Sequence, residues 1–366
     1  MELVLYDTEH FETLHTFIRL LEGGERRLHV LVLPAMRKQL EALGVKEEHG
    51  LRFYELPPYN KQHAAAVERL AKKVGATLLL LGTVSFRHYA FARVARRMRG
   101  CKVILCVHDV KDAFCPLRGS GLRGLVRQWG QKQLVSSVAA FAVLLPAMKA
   151  HILHKEYTSK PIYVVPGRLF DEAAYVPAPT GMQLVVPGSI DRSRRDYEPI
   201  RRLLQRVERA GGPYLEVTII GSSVQQPDFS DFPPGLRVVS EAFVHAATYA
   251  KALKEASMVW APLPERFSSA GRRDELYGTT KASGTFFDAV SAGRPLLLPA
   301  HIEVPEGVRG CTLTYGDDDE LYYLLLALAE NEGAQASLRQ LALAAARHFT
   351  VENLRVTLVP QMLQRR

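Results

Sequence analysis

The residues best spaced to do chemistry stand between Tyr277 and Pro299, in YGTTKASGTFFDAVSAGRPLLLP. Lys281, Gly284 and Asp288 fall at i, i+3 and i+7. On a helix that spacing puts a cation, a bare backbone and a carboxylate on one face. Thr279, Thr280 and Ser283 are candidate caps, Gly293 suits a left-handed stop, and Pro295 cannot continue the helix. The free amides of a helix start attract an anion. The set therefore suits a phosphate followed by a sugar hydroxyl. The competing reading is a packing helix whose Gly284 admits a close neighbour and whose polar side is merely solvated.

Two further segments extend this chemistry. VVPGSIDRSRRDYEP offers Gly188 and Ser189 for close backbone approach, then Arg192, Arg194 and Arg195 as forks for phosphate oxygens. VTIIGSS supplies Gly221, Ser222 and Ser223 in a second small turn. Each glycine alone also fits a plain tight turn. Together with the Lys281 segment they point to a diphosphate cradle, although neither the dinucleotide fingerprint nor the P-loop spacing is present. KVILCVHD closes on His108 and Asp109. A lone histidine there also fits a packing or hydrogen-bonding role, and His10 and His88 are weaker candidates still. No HExxH, GxSxG or Cys/His pair at a family spacing occurs, so metalloprotease and serine hydrolase chemistry fall away.

The elements needed to position these residues are legible in the pattern. Strands at 2–7, 28–34, 51–57, 77–82, 102–109, 141–146 and 161–167 alternate with helices near 35–43, 61–74, 86–98 and 121–136. The Ala- and Pro-rich stretch 171–181 breaks the rhythm as a linker. Strands then recur at 183–189, 214–223, 236–240, 258–264, 295–299 and 311–315, with helices near 196–210, 246–256, 319–331, 335–348 and 351–364. Alternation of this kind predicts two doubly wound parallel sheets in tandem. The expected units are 1–170, the linker 171–181, 182–348, and a closing helix in 349–366. Ligands of such sheets bind beyond the carboxyl ends of the strands. Those ends are Asp7 to His10, Thr83 to Arg87, His108 and Asp109, Gly188 to Arg195, Gly221 to Ser223, Glu241 through Phe243 and Val244, and Glu265 onward.

Composition narrows the class. At 366 residues the chain exceeds one comfortable core, and no run of eighteen apolar residues exists. MELVLYDTEHF reads as a core strand and not a signal peptide. Cys101, Cys106, Cys115 and Cys311 show no zinc spacing and suit a reducing compartment. The net charge of +9 concentrates in 86–102, 117–132 and 191–202. Nucleic acid is not expected, because no recognition motif accompanies the charge. Helix 86–98 mixes Phe86, Tyr89, Phe91 and Met98 with Arg87, Arg93, Arg96 and Arg97, the composition of an interfacial helix at an anionic membrane. A core helix with an arginine face is the alternative. The stretch 317–319, Asp-Asp-Asp, reads as helix capping and not as a metal triplet.

These segments resemble the GT-B glycosyltransferases, nearest to glycosyltransferase family four and its bacterial polysaccharide relatives. VVPGSIDRSRRDYE looks like the family's glycine turn, VTIIGSS like the second turn beside the donor, the Tyr277–Pro299 segment like the donor helix, and LCVHD like the strand ending in an active-site His-Asp. The resemblance implies two Rossmann-like domains with a cleft between them and a C-terminal helix returning to the first. It implies a retaining, metal-independent hexosyl transfer from a nucleotide-diphosphate sugar (UDP or GDP) to a glycan or lipid-linked acceptor, with no further cofactor. It places the protein in the cytoplasm of a bacterium, in polysaccharide biosynthesis, at the inner face of the plasma membrane. His108, Asp109, Arg192 and Lys281 would take the catalytic roles. Gly188, Ser189, Arg194, Arg195, Gly221, Ser222, Glu241, Phe243, Val244, Thr280, Ser283, Gly284 and Asp288 would hold the donor, Asp288 through its ribose hydroxyls. The pattern departs at Thr280, which stands where the family carries its first glutamate. Lys281 could neutralise the diphosphate instead, or Glu275 or Glu265 could supply the acid. An inactive binding partner on the same fold and a sugar-nucleotide epimerase are the alternatives.

Overall fold

The computed structural model describes residues 1–48, 50–116, 121–212, 215–223, 228–242, 244–268 and 274–364, without the side chains of 121–124. The first unit runs β1 (Glu2–Tyr6), α1 (Phe11–Leu21), β2 (Arg27–Val32), α2 (Pro34–Ala42), β3 (Leu51–Glu55), α3 (His63–Val74), β4 (Leu78–Leu81), α4 (His88–Arg97), β5 (Lys102–Val107), α5 (Val110–Phe114), α6 (Gly121–Ser137), β6 (Ala140–Val143), α7 (Pro146–His154) and β7 (Ile162–Val164). Its strands form one parallel sheet in the order β3-β2-β1-β4-β5-β6-β7. Helices cover both faces, so the central strands are apolar without alternation: all four leucines of β4 are buried, as is Val103 to Val107 in β5.

The second unit runs β8 (Met182–Pro187), α8 (Glu198–Ala210), β9 (Leu215–Ser222), β10 (Leu236–Glu241), α9 (Ala246–Glu255), β11 (Met258–Trp260), β12 (Arg266–Phe267), β13 (Glu275–Leu276), α10 (Gly284–Ala292), β14 (Leu296–Pro299), β15 (Thr312–Tyr315), α11 (Asp318–Ala329), α12 (Glu332–Arg347) and α13 (Val351–Leu363). The parallel sheet is ordered β10-β9-β8-β11-β14-β15, and β12 and β13 form a separate antiparallel pair. The expected pair of doubly wound parallel sheets is therefore observed. Strand order reverses between β1 and β4 in one sheet and between β8 and β11 in the other, and such switch points open a crevice at the strand ends.

Three connections fix the units. Arg294 is buried at 2% exposure, and its guanidinium donates to the carbonyls of Ala256, Val176, Ala292 and Lys254, pinning the linker to α9 and α10. The backbone of Phe170 donates to Phe349 O at 3.0 Å. The closing helix α13 lies on the first unit: Arg355 Nε donates to Leu20 O at 3.1 Å, and Lys102 Nζ reaches Gln361 O and Gln364 O. Asp317 caps α11 by accepting from Glu320 N at 2.8 Å, as the sequence predicts. Two short elements were not anticipated, α5 and the β12–β13 pair. Among the described residues no helix is long and apolar enough to cross a membrane.

Candidate functional site

At the first switch point Asp7 follows β1 and is wholly buried. Its carboxylate accepts from Glu9 N at 2.9 Å, His10 N at 3.2 Å and Thr83 Oγ1 at 3.2 Å. Burial raises its pKa, and His10 and these donors work against the rise. This turn holds His10 so that its ring stacks on His108 at 4.0 Å. Burial, then the charges of His10 and Lys281, hold the His108 imidazole well below the ordinary histidine range, so it is neutral at pH 7. Its Nε2 has no hydrogen-bond partner among the described residues. A cavity of about 380 Å³ opens here, lined by His10, Thr83, His108 and Asp109 from the first unit and by Arg194 and Lys281 from the second.

The units meet along this cavity. Asp109 and Lys281 pair through their backbones, and Lys281 Nζ makes an ion pair with the Asp109 carboxylate. Val110 N donates to Thr280 O at 3.0 Å, and Asp112 N to Glu275 Oε1 at 2.9 Å. Phe267 lies beneath two cations, with Lys281 Nζ at 4.7 Å and the Arg194 guanidinium at 5.1 Å from its ring centre. Glu275 is 2% exposed, and burial pushes its carboxyl up to about 7.

At the second switch point Gly188 has φ 109°, in the region that favours glycine. Its amide donates to Ile220 O at 2.9 Å, and a Cβ on Gly221 would run into the Gly188 carbonyl. The two turns are thus one packed unit, which spacing alone does not reveal. Arg195 lies beneath it at 7% exposure, its Nη2 donating to Pro187 O at 2.7 Å and Thr285 Oγ1 at 2.8 Å. It ties the Gly188 turn to the start of α10. The three arginines expected to act alike therefore separate. Arg195 is a buried strut. Arg194 faces the smaller cavity. Arg192 is exposed, near Glu198 at 3.7 Å and bonded to Asp228 O at 3.3 Å.

The expected helix face also changes. Ser283 is the cap, accepting from Thr285 N, and α10 begins only at Gly284. Lys281 consequently stands in the loop before the helix and not on its face, because the bridge to Asp109 holds it extended. Thr280 is fully buried, its Oγ1 accepting from Leu276 N at 2.8 Å. Gly284 is exposed, and a Cβ there would meet nothing within 4 Å. Among the described residues no neighbour requires that glycine.

A larger cavity of about 750 Å³ lies between the units. Gly188, Ser189, Gly221, Ser222 and Val244 line it as the strand-end rule predicts; Glu241 is exposed and does not, and Phe243 lies outside the described residues. Asp288 does not face it freely. At 2% exposure it accepts from Tyr249 OH at 2.8 Å and pairs with Arg168 Nε at 2.9 Å, while Arg168 Nη2 reaches Glu12 at 3.1 Å. Burial raises the Asp288 carboxyl and Arg168 opposes it. Arg168 and Tyr249 themselves line the cavity, as do Glu12 and His15. Burial pushes His15 down to about 4. Sequence reasoning missed all four. Arg168 was within reach, since it follows the end of β7 much as the other candidates follow their strands.

No family model matches this sequence, and no curated protein matches it. Solved structures do. HepE of Anabaena, in complex with UDP and glucose, superposes with a TM-score of 0.63 at 13% identity over 99% of each chain. The UDP-GlcNAc 2-epimerase of Neisseria meningitidis, bound to UDP-GlcNAc, gives 0.59 at 9% over 99% of each. The Thermobaculum terrenum O-GlcNAc transferase gives 0.55 at 10%, over 99% of this chain and 67% of that one. At such identities the likeness establishes architecture alone, and the architecture is that of the GT-B fold.

Proposed function

We propose that the protein is a hexosyl-class glycosyltransferase that moves a sugar from a nucleotide-diphosphate donor to a glycan or lipid-linked acceptor, with retention and without a metal. The observation that carries this reading is the interlocked pair Gly188 and Gly221 opening on the 750 Å³ cleft. Bare backbone at a switch point admits a diphosphate where a side chain would exclude it. The sugar–phosphate bond breaks with its electron pair left on the diphosphate, and the acceptor hydroxyl forms the new bond and gives its proton to an oxygen of the leaving diphosphate. Arg194 and Lys281, which line the smaller cavity, and the first-turn amides of α10 stabilise the leaving charge. Arg195 positions those two segments, and Arg192 takes no part. Neutral His108 lines the smaller cavity, which we assign to the acceptor. Asp288 acts through Tyr249 and Arg168, which line the cleft in its place.

HepE holds UDP and the Neisseria epimerase holds UDP-GlcNAc, which makes a UDP-sugar the first donor to try and GDP the second. Epimerisation without an acceptor is the second reading. Two structures titled as such epimerases share this architecture, and Glu275, raised to about 7, is a group that exchanges protons near neutrality.

The test is a thermal-shift panel of UDP-, GDP-, ADP- and CMP-sugars on wild type and Lys281→Ala, followed by product analysis without and with acceptor. A ligand of the native state raises the midpoint by mass action. We expect a shift with one base, reduced in the variant. A new sugar nucleotide formed without acceptor would replace transfer by epimerisation. No shift with any donor would favour an inactive partner protein.

A further inference from the structure

Helices α4 and α6 carry Arg93, Arg96, Arg97, Arg123, Arg127 and Lys132, and neither contains a carboxylate. They pack closely because Gly130 lacks a side chain: a Cβ there would lie 3.0 Å from the Tyr89 amide. Tyr89 stacks on Trp129 at 4.6 Å, with the Arg96 guanidinium 5.9 Å from the Tyr89 ring. Phe86, Tyr89, Leu125, Val126 and Trp129 are exposed at 60%, 39%, 52%, 55% and 49%. The other exposed large hydrophobic side chains among the described residues are spread from Met1 to Val356, an ordinary scatter.

The interfacial reading of helix 86–98 needs correction on two residues. Phe91 and Met98 are buried at 1% and 7%. The apolar contribution comes instead from α6, so the face belongs to two helices. The same pair sends His88, Arg127 and Gln131 into the smaller cavity beside His108. The face and the acceptor-side cavity therefore adjoin.

We propose that the α4–α6 face is a docking surface for an anionic lipid bilayer. Charge complementarity selects this occupant: the exposed Arg93, Arg96, Arg97 and Lys132 accompany a stacked aromatic pair, with no acid on either helix. Tyr and Trp settle at headgroup depth, Leu125 and Val126 enter the acyl boundary, and the arginines meet lipid phosphates. Docking there sets the mouth of the smaller cavity at the bilayer surface. The choice of a lipid-linked over a soluble acceptor rests on the transfer reading above; the docking itself requires no turnover.

Co-sedimentation with vesicles tests it, using phosphatidylcholine alone and phosphatidylcholine with phosphatidylglycerol. Wild type is expected to pellet with the anionic vesicles only, and to be released at about 1 M salt, where screening shortens to about 3 Å. Leu125→Ser with Trp129→Ser, and separately Arg93→Gln with Arg96→Gln, should each weaken binding roughly tenfold with unchanged thermal midpoints, since these side chains are exposed. Absence of binding to anionic vesicles, or binding unchanged in both variants, overturns the proposal. So does a dimer in sedimentation velocity that Trp129→Ser abolishes, which would assign the face to a second copy. Vesicle binding without any nucleotide-sugar shift supports the surface and overturns the transfer reading, so the two failures are distinct.

Discussion

Glu275 accepts from the Asp112 amide and sits at 2% exposure, with its carboxyl raised by burial from an ordinary 4.5 to about 7. The folded value lies above the unfolded one, so the native state favours the protonated acid. Its contribution is complete below about 4.5 and is lost as pH rises through about 7. Glu275→Gln keeps the acceptor for Asp112 and cannot ionise. The variant should melt higher than wild type above pH 7, by at most roughly 3 kcal/mol, and the difference should vanish toward pH 4.5. Midpoints measured across that range decide it; a constant difference would mean that Glu275 stays ionised throughout. The sequence offered Glu275 only as one substitute acid. Its environment is made by the neighbouring Thr280 and by α5, whose Asp112 amide comes from 163 positions away, and no local pattern encodes that contact.

On α10, apolar content, the Gly293 stop and Pro295 marked a helix, but they did not mark its first residue. The start is set by tertiary bonds: Thr280 O accepts from Val110 N, and Lys281 is bridged to Asp109. Three residues are thereby held out of the helix, and the i, i+3, i+7 face dissolves. Two glycines separate packing from binding. Gly221→Ala drives a methyl into the Gly188 carbonyl and should cost on the order of 1–3 kcal/mol. Gly284→Ala meets open space and should change stability by less than about 1 kcal/mol. If the α10 amides take the diphosphate, Gly284→Ala should nonetheless reduce the thermal shift given by the donor. Urea midpoints and donor titrations on both variants measure the contrast. An undiminished donor response in Gly284→Ala would move the phosphate away from α10.

Across the whole molecule, α13 straps the second unit to the first. It buries Leu358, Val359 and Met362 at 9%, 5% and 0% exposure, and Arg355 and Lys102 satisfy carbonyls across the contact. Burial of each such side chain is worth about 1.5–3 kcal/mol. Deleting residues 351–366 should lower the thermal midpoint by several degrees and weaken donor binding, because the cleft depends on both units being held together. Unchanged stability on calorimetry would show that the strap is dispensable. The partly buried chain Glu12–Arg168–Asp288–Tyr249 crosses the same boundary beside the cleft.

The sequence by itself determined the two parallel sheets, their strand ends and the glycine turns, because apolar runs and the punctuation of Gly and Pro act locally. Tertiary structure decided which polar side chains are free. Arg192, Arg194 and Arg195 lie within four residues of one another and end in solvent, in a cavity and in the interior. Asp288 and Lys281 were chosen for charge, yet each is paired with a residue more than a hundred positions away. Ion pairs between units are made by chain segments that meet only when both sheets are folded, so their partners cannot be read from spacing along the chain.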